Sequence, residues 1–471
     1  MVARRLLSLA VFLASAIPLS VTAVADEREI LTNIRQFLET TNAAKRTELV
    51  ERIQADPAYD RKQVNRWLHQ AAPFKALKPG PHAITVPLRN GSTRRVSLRI
   101  PANYDHERPW PLIYALHGTG GHGTDMIRYL EQVLGEAVEQ YIIAAPNEYG
   151  EPIIHHTYWP PVGEHPAVLL KVKQTVHVDS DRVTVMGYSL GAHTTWTLAM
   201  LHADQFAGVM PLAGTFTLML PDLMWESFLP NAKQLPILCV WGDGDVHYGG
   251  ERISPQGGIA GVNRALRKLL AAHEVPATMI ELPKTGHRGV VPPADAMTAL
   301  LAHKRVHSPA KIEHMFRHVY QARAYWLEGH VWTGKQWTDK QATVRFRSGE
   351  TPLSDEDFDN AAARTYRGLL GRLSGEIDGQ RIRISRRRVK ELTVWIHDGM
   401  IDWSQPVTLI AGGREAFNDP LEPSLYVCLS QAARTYDFDC LRWAGLRVRS
   451  GAKPRRVTPD TVFPTWPPPA K

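Results

Sequence analysis

The stretch Val183-Thr184-Val185-Met186-Gly187-Tyr188-Ser189-Leu190-Gly191-Ala192 decides the fold. It joins a short uncharged run, rich in β-branched residues, to a helix-like segment through a Gly-x-Ser-x-Gly turn. A strand that turns sharply into a helix tolerates only small residues beside its apex, because larger side chains would collide with the sheet. Ser189 is the apex residue, so the stretch reads as a nucleophile-bearing elbow rather than an ordinary glycine turn.

Similar runs of about five or six residues recur on both sides of the elbow. They are Leu112 to Leu116, Tyr141 to Ala145, Ala207 to Leu212, Ile237 to Trp241 and Ala277 to Leu282. Apolar runs this short, with few charges, fit strands buried on both faces, as in a parallel sheet covered by helices. Helix-like segments such as Ala192 to Ala203 and Val262 to His273 lie between them. Right-handed crossovers then make a doubly wound, mostly parallel α/β sheet the economical topology. A hairpin, Ala83 to Leu88 and Arg95 to Ile100 around Asn90-Gly91, leads into it.

A serine hydroxyl becomes a competent nucleophile when an imidazole takes its proton and a carboxylate holds that imidazole. With the elbow at Ser189, the expected chain order is serine, acid, histidine. Trp241-Gly242-Asp243-Gly244-Asp245 follows one strand and Gly286-His287-Arg288-Gly289 follows the next. Asp245 is the preferred acid, with Asp243 the alternative, and His287 the expected base. His247 and His273, among twenty histidines, read as surface residues. The oxyanion requires two preorganised backbone donors. Leu190 supplies one at the helix start, and the second is expected from His117-Gly118-Thr119-Gly120-Gly121, at Thr119 or, alternatively, Gly118. No Lys-Ser/Thr follows that loop, which argues against a phosphate cradle. His117, Tyr188, Tyr158 and Trp159 are the expected pocket residues, the last two in the loop Asn147 to Pro166 over the site. His155-His156 in the same loop has no evident third partner, so no metal is expected.

The string from Val178 to Gly214, together with HGTGG at 117–121, VWGDGD at 240–245 and KTGHRG at 284–289, resembles the α/β-hydrolase superfamily. The branch it is most similar to is that of secreted carboxylesterases related to polyhydroxybutyrate depolymerases, feruloyl and acetylxylan esterases and the phospholipase/carboxylesterase group. The resemblance spans Ile84 to Ala302. It implies a serine carboxylic-ester hydrolase that works through an acyl-enzyme at Ser189, Asp245 and His287, without metal or organic cofactor. The Asn147 to Pro166 loop and the C-terminal third depart from it.

The remaining organisation is read by texture. Arg4 and Arg5, the apolar run Leu6 to Val21 and Ala23-Val24-Ala25 have the form of a signal peptide over 1–25, implying a periplasmic or secreted protein. No later segment reaches the roughly 20 apolar residues of a membrane span. Residues 26–80 read as a helical N-terminal segment, with Ile30, Ile34, Phe37 and Leu38 and then Val64, Trp67 and Leu68 at helical spacing. The catalytic domain is expected over 81–308. A β-rich domain, arranged as a sandwich, is expected over 309–471, with strands at Tyr320 to Leu327, Ala342 to Phe346, Arg381 to Ile384, Leu392 to Ile396 and Pro406 to Ile410, and a helix at Leu425 to Arg434.

From Lys311 onward 25 basic and 19 acidic side chains leave this part basic, while the middle of the chain is neutral. An anionic surface is therefore a candidate partner for the C-terminal domain beside the ester substrate, and nucleic acid is not expected. Cys428 and Cys440 are candidates for a disulfide in an oxidising compartment, and Cys239 reads as a core thiol. Two other readings share the motifs: a serine peptidase of the prolyl-oligopeptidase type, and a catalytically vestigial surface-binding protein. Only about 55 helical residues precede the sheet, which leaves no room for the peptidase's propeller.

Overall fold

The computed structural model describes residues 27–88, 91–147, 164–216, 225–247, 258–334, 344–351 and 354–461. Eight strands form the main sheet: β1 (Gly80–Pro87), β2 (Thr93–Ile100), β3 (Trp110–Leu116), β4 (Ile142–Pro146), β5 (Val178–Tyr188), β6 (Gly208–Leu212), β7 (Ile237–Gly242) and β8 (Ala277–Leu282). Their order is β1-β2-β4-β3-β5-β6-β7-β8. The pairs from β4 and β3 through to β8 are parallel, while β2 runs antiparallel to both β1 and β4. This is the α/β-hydrolase fold.

The buried runs explain the layering. Side chains alternate across a strand, so Leu112, Tyr114 and Leu116 enter one core together with Trp196 and Leu266 from the helices Leu190–Leu201 and Gly258–Ala272. Ile113 and Ala115 enter the other core, with Met126 and Leu130 of the helix Gly123–Leu134 and Leu300 of the helix Ala294–Leu301. A strand covered on both faces needs no polar alternation, which is why these segments read as uniformly apolar.

The C-terminal part forms two five-stranded sheets. One has the order β16-β15-β13-β12-β9 and the other β10-β11-β14-β17-β18. The strands are β9 (Lys311–Phe316), β10 (Arg323–Ala324), β11 (Leu327–Trp332), β12 (Gly371–Asp378), β13 (Arg381–Arg387), β14 (Val389–His397), β15 (Pro406–Ala411), β16 (Arg414–Pro420), β17 (Arg442–Arg449) and β18 (Arg455–Arg456). Ile312, Leu373 and Ile382 of the first sheet share a core with Leu392, Val394 and Leu446 of the second.

Several local expectations are corrected. Tyr320 to Leu327 is not one strand: the Gln321 side chain accepts the Arg317 and His318 N–H groups at 3.0 and 3.2 Å, which closes a 3-10 turn at Val319–Gln321. Tyr325 then turns the chain at φ 53° between β10 and β11. Residues 344–346 are not in a strand, and a helix not anticipated from the sequence spans Asp355–Leu369. The leader and the proline-rich tail lie outside the described residues.

All three cysteines are free. The helix Leu425–Thr435 turns Cys428 into the core it shares with the N-terminal helices, while Cys440 follows the helix, beyond the left-handed Tyr436 at its end. The N-terminal helices Arg28–Glu39, Ala43–Ala55 and Val64–Ala71 pack against that C-terminal helix: Ile30, Phe37, Leu49 and Trp67 share one core with Leu425, Leu429 and Trp443. Among the described residues no helix is long and apolar enough to cross a membrane.

Candidate active site

The elbow is built by exclusion of side chains. A Cβ on Gly187 would lie 2.1 Å from the Gly191 oxygen, and one on Gly191 would lie 2.1 Å from the Leu116 oxygen. Between them Ser189 takes φ 55°, a left-handed conformation that its N–H bond to the Leu212 oxygen at 2.9 Å helps to hold. The helix Leu190–Leu201 starts at the next residue, so its N-terminus and the Ser189 hydroxyl share one end of the sheet.

Ser189 Oγ lies 2.8 Å from His287 Nε2, and His287 Nδ1 lies 2.8 Å from Asp245 Oδ2. An ionised carboxylate can only accept, so Nδ1 carries the ring proton, and Nε2 is left to accept from the serine hydroxyl. Asp245 is fully buried in the loop after β7, and His287 stands in the loop after β8. The two loops are tied together. Gly244 N–H donates to the Thr285 oxygen at 3.0 Å, and Thr285 N–H donates to Asp243 Oδ1 at 3.2 Å. Asp243 therefore braces the histidine loop, and Asp245 is the carboxylate on the imidazole.

The loop after β3 comes closest to the serine at Gly118, where a Cβ would sit 3.2 Å from Ser189 Cβ. Gly121 N–H donates to the Gly118 oxygen at 3.1 Å, closing a turn that leaves Thr119 exposed at its tip. His117 is buried, with Nδ1 2.8 Å from the Gly118 oxygen. Tyr188 is half-buried, and its hydroxyl donates to the His287 oxygen at 2.8 Å and accepts from Val290 N–H at 3.4 Å. Its ring packs edge-on against Tyr129, whose hydroxyl donates to the Val290 oxygen at 2.9 Å. Burial raises both phenols above their ordinary range. The hydroxyl of Tyr188 thus holds the histidine loop in place. Tyr158 and Trp159, with His155 and His156, lie outside the described residues.

His247 is exposed, as a surface residue should be, but it also packs beside the expected base, which the sequence did not indicate. Its ring centroid is 4.6 Å from that of His287, and its Nδ1 is 3.6 Å from Asp245 Oδ1. The only signal was its position two residues beyond the acid. Asp245, His247 and His287 are the one group of three metal-ligating types that converges among the described residues, their ligand atoms within 4.8 Å of one another. A metal there would compete with the Asp245–His287 hydrogen bond for the same atoms.

No protein-family model and no curated protein matches the sequence. Solved structures with similar folds include a thermostable esterase at 21% identity, with a TM-score of 0.37, covering 48% of this chain and 63% of that one. Another is a protein assigned as a dipeptidyl aminopeptidase IV from Bacteroides ovatus, at 16% identity and a TM-score of 0.38, covering 47% and 35%. A third is a ferulic acid esterase from Anaeromyces mucronatus, at 16% identity and a TM-score of 0.38, covering 50% and 94%. This chain spans less than two thirds of the length of the first two.

Proposed function

We propose that this protein is an exported serine hydrolase that cleaves carboxylic esters through an acyl-enzyme on Ser189. The observation that carries the reading is the unbroken chain of two 2.8 Å hydrogen bonds from Ser189 through His287 to the buried Asp245. In the first half-reaction Ser189 Oγ bonds to the ester carbonyl carbon while His287 Nε2 takes the hydroxyl proton. Asp245 remains ionised and stabilises the imidazolium. The Leu190 N–H and a second N–H, from Thr119 or Gly118, receive the oxyanion; a donor of this kind is typically worth about 3 to 4 kcal/mol. Collapse of the tetrahedral intermediate breaks the ester C–O bond, and His287 returns its proton to the departing alcohol. Water, deprotonated by the same nitrogen, then frees the acid and restores Ser189.

Nothing in these steps calls on a metal or organic cofactor. The leader pattern supports cleavage after Ala25, which would place the mature chain in the periplasm or outside the cell; a mature N-terminus at Asp26 in mass spectrometry checks this. The domain reading is a catalytic unit over 81–308 with a β-rich unit after it. A chromogenic ester panel of increasing acyl length, run beside feruloyl and acetylated-sugar esters, tests the activity. Turnover of aminoacyl-naphthylamides with none of esters would replace it with the peptidase reading. No turnover of either would favour a vestigial binding protein.

A further inference from the structure

The run Arg386-Arg387-Arg388 takes no part in the ester chemistry, and the structure divides it between two tasks. Arg387 donates to the Leu370 and Arg367 oxygens at 3.2 and 2.8 Å, and Arg388 donates twice to the Gly368 oxygen at 3.0 and 2.9 Å. Both guanidinium groups thus serve the carbonyls at and just beyond the C-terminus of the helix Asp355–Leu369, where positive charge is favoured. Arg386 does something else: its Nη2 donates to Ser450 Oγ at 3.1 Å.

That bond sits in a cavity of about 530 Å³ between the ends of β13 and β17. Arg386, Arg388 and Arg449 line it, along with Ser385 and Ser450, and no Asp or Glu is among its described lining residues. Neither Arg386 nor Arg449 forms an ion pair with a described carboxylate, and nearby Glu391 is engaged by Arg447 at 2.8 Å. Burial lowers the Arg386 guanidinium with no described acid to offset it, and Arg387 is lowered by burial and then by the neighbouring Arg372 and Arg388. Structural arginines are normally balanced by carboxylates or carbonyls; Arg388 has the Gly368 oxygen, which leaves Arg386 and Arg449 as the two guanidinium groups here that no described acid offsets. Gly412 at φ 60° and Gly451 at φ 75° turn the backbone sharply at the rim.

We propose that this cavity binds a phosphate-bearing ligand, independently of the site at Ser189. A single carboxylate would offset one guanidinium. A phosphate group brings close to two charges and three acceptor oxygens, which suits two forked donors together with a serine hydroxyl.

The test uses the full chain, with Arg386→Gln, Arg449→Gln and the double variant, and inorganic pyrophosphate titrated calorimetrically. Wild type binds pyrophosphate, and the double variant binds at least about tenfold more weakly, as expected when charge-assisted hydrogen bonds are lost. Melting temperature and ester turnover stay unchanged, because neither residue touches the Ser189 site. Sedimentation with phosphatidic acid vesicles, compared with phosphatidylcholine vesicles, separates the sources. Arginine-dependent binding to the former assigns a lipid headgroup, and pyrophosphate binding alone assigns a soluble phosphate compound. No wild-type binding to either probe, or equal binding by wild type and double variant, overturns the proposal. If the double variant fails to fold, Arg449→Gln alone decides, since that side chain is exposed.

Discussion

Ser189 holds a positive φ of 55° without being glycine, a conformation that an alanine in its place can share because both carry one Cβ. Ser189→Ala is therefore expected to keep the wild-type melting temperature while turnover of p-nitrophenyl acetate falls on the order of a millionfold, the loss typical of a removed triad nucleophile. The two candidate acids separate as sharply. Asp245→Asn presents an amide to His287 Nδ1 and favours the wrong tautomer, with an expected loss of about ten thousandfold in kcat at pH 8. Asp243→Asn only weakens the brace on Thr285 N–H, since the amide oxygen still accepts, and its loss should stay within about tenfold. The reverse ranking would move the acid to Asp243. Ser189, Asp245 and His287 were legible because each follows a recognisable strand in a fixed chain order. The roles of His247 and Tyr188 were not, because a ring tilted against an imidazole and a hydroxyl aimed at a loop carbonyl depend on contacts across the fold that leave no local pattern.

At the scale of elements, the helix after the elbow can approach the sheet only because Gly191 has no side chain. Gly191→Ala would set a Cβ 2.1 Å from the Leu116 oxygen, and the backbone displacement needed is expected to cost about 3 kcal/mol or more, read as a fall in urea midpoint. The β8 loop has its own clasp. Tyr188→Phe deletes the hydroxyl bond to the His287 oxygen, worth about 1 kcal/mol, and is expected to lower kcat roughly fivefold with KM unchanged. A raised KM with constant kcat would instead make Tyr188 a substrate contact. The parallel strands could be read from sequence because burial on both faces writes an unbroken apolar run. The C-terminal strands were harder: β9 alternates only over its first four residues, β12 alternates buried with half-buried positions, and Tyr320 to Leu327 has strand composition but is divided by a glutamine-capped turn. Side-chain capping overrides propensity there.

Across the whole molecule, charge and burial meet where the N-terminal helices, the catalytic sheet and the C-terminal part join. Arg305 donates to Asp437 at 2.7 and 3.0 Å and to Asp181 at 3.0 Å. Burial alone would raise the Asp437 carboxyl, but Arg305 and Lys173 hold it far below the carboxylate range. Burial also pushes the imidazoles of His177 and His397 down to about 4 and those of His165 and His202 down to about 3, from an ordinary 6.5. Below pH 6.5 the unfolded chain then binds protons that the folded chain refuses, so stability falls as pH drops toward those values. A melting temperature that declines steadily from pH 6.5 to pH 4 is expected, and a flat profile would contradict it. Removal of the chain beyond Ala310 would bare Ile30, Phe37 and Trp67, so that truncation is expected to aggregate, as light scattering would show. The sequence marked those residues as an apolar helical stripe but not their partner. Asn65 reaches the Phe438 oxygen across 373 residues, beyond any local periodicity. That separation sets a schedule for the nascent chain. At roughly 5 to 20 residues per second, on the order of 20 to 75 seconds pass between synthesis of the first helices and arrival of the helix that covers them. For that interval their apolar faces depend on whatever holds the emerging polypeptide apart from its neighbours. The yield of folded protein should therefore respond to translation speed and chaperone supply, even where the melting temperature of the finished molecule does not change.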